Sequence, residues 1–120
     1  MRRLAASAQI VVLTNAPKTA REGRARWLRE HGMDYPLIIN EGLKGPECAR
    51  LAAQTSGAAV FVDDLLPNLL SVHRDAPRVT LFQSVADERL RPLAPGDPSI
   101  CARHDSWADL APALEAALSA

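Results

Sequence analysis

The sequence predicts an α/β domain: a doubly wound, three-layer parallel sheet of about five strands. Three observations predict it. Short runs of β-branched and aliphatic residues recur, and they are continuous rather than alternating. Such runs suit parallel strands buried on both faces. Amphipathic helical patterns lie between them, and strands that alternate with helices mean βαβ units with right-handed crossovers. The chain has 120 residues and is 48% hydrophobic, which is one domain's worth of chain with ample apolar content.

The first strand is Ile10-Val11-Val12-Leu13. Pro17 follows near a helix start, where its missing N–H does no harm. Ala20, Gly23, Trp27, Leu28 and His31 then mark one helical face, and Gly32 is placed to cap its end. Leu37-Ile38-Ile39 is the second strand. Pro46 opens a second helix whose face carries Cys48, Leu51, Ala52 and Thr55, ending at Gly57. Residues 58–62 form the third strand, and Pro67 opens a helix bearing Leu66, Leu69, Leu70 and His73. Residues 79–82 are the fourth strand. A short helix is expected over 85–90, loop over 91–98, and a fifth strand over 100–102. The last helix carries Trp107, Leu110, Leu114, Ala117 and Leu118. Ser106 or Asp109 can cap it, and Pro112 favours the later start.

Composition excludes several classes. Lys+Arg and Asp+Glu are each 14, so the chain is neutral and lacks the basic excess of a nucleic-acid binder. No apolar run nears the ~20 residues of a membrane span. The N-terminal residues lack the apolar core of a secretory signal. Cys48 and Cys101 have no metal-ligand spacing and read as small buried apolar residues. A cytoplasmic, reduced, single-domain protein is expected. Trp27 and Trp107 read as packing residues.

In doubly wound sheets, ligands bind at the carboxyl ends of the strands. Thr14 and Asn15 follow the first strand, where a hydroxyl and helix N–H groups can meet an anion. Strand ends and helix caps also favour these residues without any ligand. Lys44 precedes the second helix, at the wrong pole for the helix dipole, and is one of only two lysines beside Lys18. It is either an anion ligand or a solvated loop cation. Asp63 and Asp64 follow the third strand, and adjacent carboxylates repel unless a cation such as magnesium compensates. The plainer account makes one of them a helix cap.

Taken in order, these segments resemble the haloacid dehalogenase superfamily of phosphohydrolases. IVVLTN is similar to its second motif, GLKGPECARLA to its third and VDDLLPN to its fourth. The resemblance covers roughly residues 9–85. It implies that Thr14 and Asn15 bind phosphate with Lys44, that Asp63 and Asp64 hold Mg²⁺, and that Asn68 supports the loop. The family's first motif, a strand-borne Asp-x-Asp, supplies the nucleophile and one further metal carboxylate. It has no counterpart: the eight residues before Gln9 contain no Asp or Glu, and no other Asp-x-Asp occurs.

The resemblance therefore implies a HAD-like domain over 1–120, without a cap, that is catalytically inactive as it stands. Such a domain binds a phosphate-bearing small molecule, and it holds Mg²⁺ weakly or not at all. Removing the family's central strand leaves the order 2-1-3-4-5, which is flavodoxin-like, and the crevice so left favours a homodimer. Two alternatives stand beside it: an active phosphatase whose first strand lies outside this sequence, and a plain flavodoxin-like binding module.

Overall fold

The computed structural model describes residues 2–6 and 8–119. The fold is α/β with five strands, all paired in parallel. The elements are α1 (Arg2–Ala5), β1 (Val12–Asn15), α2 (Arg21–Glu30), β2 (Leu37–Asn40), α3 (Gly45–Ala52), β3 (Val60–Asp63), α4 (Leu66–Asp75), β4 (Thr80–Gln83), β5 (Ala102–Arg103) and α5 (Trp107–Leu118). Single 3₁₀ turns occupy Lys18–Ala20 and Arg91–Leu93. The strands form two hydrogen-bonded sheets, β1-β2 and β3-β4-β5, and the chain divides into two compact units, 1–42 and 43–120. The neighbour pairs β1–β2, β3–β4 and β4–β5 all occur in the order 2-1-3-4-5 that the resemblance implies.

In the first unit, Val12 pairs with Leu37 and Thr14 with Ile39. Arg21 donates to the Leu37 carbonyl at 2.8 Å, tying the start of α2 to β2. Gly32 ends α2 as predicted. Its φ of 74° is a left-handed conformation that glycine adopts without strain. The Gly32 amide donates to Arg29 and the Met33 amide to Leu28, which together form a Schellman cap. The apolar face predicted for α2 is largely uncovered. Leu28 is its buried residue, while Trp27 is 47% exposed and stacks on His31 at 4.0 Å.

In the second unit, α3 packs on α4, and α4 packs on β3 and β4. The core joins Cys48 and Ala52 of α3, Leu69 and Val72 of α4, Val79 and Leu81 around β4, and Cys101. Both cysteines are free and buried, as the sequence predicts. The first turn of α3 is capped by α4 rather than by its own N-cap. The Gly45 amide donates to Ser71 Oγ at 2.9 Å, and the Lys44 amide donates to Asn68 Oδ1 at 3.2 Å. This contact requires glycine: a Cβ at position 45 would lie 2.3 Å from Ser71 Oγ and 2.4 Å from Asp75 Oδ2. At the other end of α3, the Arg78 guanidinium donates to the carbonyls of Ala52, Thr55 and Gly57, meeting acceptors the helix leaves open. The helix therefore ends at Ala52 rather than Gly57.

Four further expectations are corrected. β1 runs two residues later than predicted, β3 starts two later and ends one later, and β4 runs one later, so Thr14, Asn15, Asp63 and Gln83 belong to the strands. No helix forms over 85–90. The Val85 amide is taken by Asp105 Oδ1 and its carbonyl by Arg91, so the backbone is fastened by side chains instead of an i→i−4 ladder. The fifth strand is Ala102–Arg103, because the amides of Ile100 and Cys101 turn back onto the Asp97 carbonyl. α5 starts early, at Trp107, on a Ser106 cap whose Oγ accepts from the Asp109 amide at 3.3 Å. Pro112 then sits inside the helix. It and Ala108, whose carbonyl the proline leaves without its helical donor, are both exposed residues. Trp107 is also exposed rather than packed.

Two glycines should respond oppositely to alanine. Gly45→Ala should lower stability by about 1–3 kcal/mol through overpacking. Gly23→Ala, with nothing within 4 Å of the new methyl, should raise it by about 0.5–1 kcal/mol. Urea denaturation of the two variants checks both signs.

Candidate functional site

The carboxyl end of the three-stranded sheet gathers polar side chains. Asp63, Gln83 and Arg103 stand in register across β3, β4 and β5. Asp63 is the centre of this layer. Its Oδ2 accepts from Lys44 Nζ at 2.7 Å, with side-chain exposures of only 15% for Lys44 and 2% for Asp63. Its Oδ1 accepts from the Leu65 amide at 2.9 Å, which closes the turn between β3 and α4. Neither aspartate side chain caps α4, whose N-cap is Leu65.

Three sequence-predicted residues therefore meet through α3 and α4. Lys44 is the N-cap of α3, and its amide is held by Asn68, a buried residue of α4. Asn68 thus sets where the lysine stem leaves the backbone, and Lys44 reaches from there to the end of β3. The ammonium's unfavourable placement at a helix N-terminus is offset by its carboxylate partner.

The two aspartates are electrostatically unequal. Burial alone would raise the Asp63 carboxyl. The hydrogen bonds from Lys44, the Leu65 amide and Asp64 outweigh it and hold Asp63 below the usual carboxylate range. Asp64 goes the other way. Burial, then the hydrogen bond and negative charge of Asp63, push its carboxyl up. With one ammonium and two carboxylates the cluster carries a net charge of −1 when fully ionised.

Thr14 and Asn15 lie at the end of β1, in the first unit. Asn15 is engaged locally. Its Nδ2 donates to the Gly42 carbonyl at 2.9 Å, and its Oδ1 accepts from Asn40 Nδ2 at 3.0 Å. These bonds fasten the turn after β2.

Gln83 is a residue the sequence reasoning passed over. It is 0% exposed, and its Nε2 donates both to the Asp64 carbonyl at 3.1 Å and to the Pro95 carbonyl at 2.8 Å. Among the described residues its Oε1 has no hydrogen-bond partner. A buried acceptor left open costs about 1–3 kcal/mol. The available signal was a polar residue closing a strand that reads Val-Thr-Leu-Phe. Arg103 shares the task of holding the neighbouring loop, donating to the carbonyls of Ala94 and Arg91 and to Asp105.

Among the described residues, no group of three or more His, Cys, Asp or Glu is placed to hold a metal ion. Mg²⁺ is commonly held by one or two carboxylates completed by waters and a ligand phosphate. Asp63 and Asp64 fit that looser arrangement, with Asp64 the less engaged of the two.

The ion pair has two testable consequences. Lys44→Met leaves a buried carboxylate unpaired and should cost about 3–5 kcal/mol, most of it recovered in the double variant Lys44→Met/Asp63→Asn. The pH profile should carry opposite signs from the two aspartates. Asp63, depressed on folding, contributes stability above its unfolded value of about 3.9, lost as pH falls below that value through its folded pKa. Asp64, raised on folding, contributes stability below about 3.9, lost as pH rises through its folded pKa. Thermal melts between pH 2 and 7 should thus show a flatter acid limb in Asp63→Asn and a flatter limb above pH 4 in Asp64→Asn. Comparison with known proteins identifies no relative: no family model, no curated protein and no solved structure matches the chain.

Proposed function

We propose that this chain is a HAD-like domain that binds a phosphate-bearing small molecule together with Mg²⁺ at Lys44, Asp63 and Asp64, without forming a covalent phosphoryl-enzyme itself. The observation that carries this reading is the buried Lys44–Asp63 pair at the carboxyl end of a parallel sheet, with a second carboxylate beside it. That is the end where doubly wound sheets take ligands. The doubly wound arrangement and the role of Thr14 enter through the sequence resemblance.

The charge balance sets the order of binding. The Lys44 ammonium is already matched by Asp63, so a phosphate approaching the cluster alone meets net negative charge. Asp64 and Asp63 are the residues that would hold a divalent cation, whose charge would offset the net negative charge a phosphate otherwise meets there. Covalent transfer by the family's route requires a positioned carboxylate nucleophile. No strand within the 120 residues carries the Asp-x-Asp that supplies it.

Titration calorimetry tests this. Phosphate should bind at least tenfold more tightly with Mg²⁺ present than without, and Asp64→Asn should remove the difference. Phosphate binding that ignores Mg²⁺ overturns the reading. So does Mg²⁺-dependent phosphate release from an aryl phosphate that disappears in Asp63→Asn, which would make the chain an active phosphatase.

A further inference from the structure

We propose that Gln83 is a positioning residue: its carboxamide latches the acidic turn 63–65 to the loop 91–96, so the state of that loop sets how tightly Asp63 and Asp64 hold a divalent cation. For the cation this rests on the reading above. The latch itself rests on geometry.

Three features carry it. First, one amide nitrogen serves both segments, with the Asp64 carbonyl on one side and the Pro95 carbonyl on the other. Both carbonyls are therefore held to a single side chain, and that side chain is fully enclosed. Its main chain is pinned as well: its carbonyl accepts from the His104 amide at 2.9 Å, and it pairs with Asp63 in the sheet. Second, the loop presses on the same side chain. A Cβ on Gly96 would stand 2.8 Å from Gln83 Oε1, so the loop approaches as closely as glycine permits. Third, Oε1 has no partner among the described residues, so the carboxamide is held by its donor side alone. Both carbonyls need a donor, which fixes the amide orientation.

Among the described residues the loop is also held by two arginines, one of them next to Gln83 in the sheet. Arg103 grips Ala94 and Arg91, and Arg91 grips Val85 and the Asp105 carbonyl.

A double-mutant cycle on the full ¹⁵N-labelled chain tests the latch. Gly96→Ala, which touches Gln83 and neither aspartate, should shift the amide signals of Asp64 and Leu65 and weaken Mg²⁺ binding about tenfold. In a Gln83→Met background, which keeps the volume and removes donor and acceptor, adding Gly96→Ala should move neither. Equal shifts in both backgrounds, or none in either, overturn the latch. Should Gln83→Met fail to fold, hydrogen exchange of the wild-type chain decides: the Leu65 and Ala94 amides should open with one shared denaturant dependence, and separate openings overturn it. If the wild type binds no Mg²⁺, the proposed function fails while the amide shifts still judge the latch.

Discussion

A charge removed from water must find a partner, and around Lys44 and Asp63 that requirement organises the second unit. The ammonium reaches the carboxylate only because α3 begins where it does. α3 begins there because Asn68 and Ser71 of α4 accept its first two free amides. α4 in turn begins where the Asp63 carboxylate closes the turn after β3. The circuit runs from strand to turn to helix to helix and back to the strand. Each link satisfies a polar group that burial would otherwise penalise.

The circuit also explains the contrast between two neighbouring, chemically identical residues. Asp63 is wrapped by donors and stays ionised. Asp64 is partly buried and lies in the field of its neighbour, which pushes its carboxyl up.

Much of this was legible in the residues. The order of strands and helices followed from period and punctuation, and Gly32 announced its Schellman cap. Lys44, Asp63 and Asn68 were named as site residues from their position after strands or at helix starts, and they do meet. What stayed hidden was long-range side-chain chemistry. Arg91 and Asp105 cancel a helix over 85–90 by taking its backbone groups, and nothing within that segment signals this. Pro112 argued for a late helix start, but the helix begins at the reciprocal Ser106–Asp109 cap and carries the proline at an exposed position. Gln83 was invisible because its importance lies in two carbonyls distant in sequence. Trp27 was misplaced because helical spacing identifies a face, not whether anything covers it.

The position of β3 in its sheet has a proteostatic consequence. It pairs with β4 alone among the described residues, and its Val60-Phe61-Val62 edge lacks the lysine, proline or bulge that commonly guards such edges. The chain has no net charge to keep copies apart. Because β3 remains the outer strand of this sheet once the unit has folded, an edge of this composition invites strand-to-strand pairing between copies of the chain.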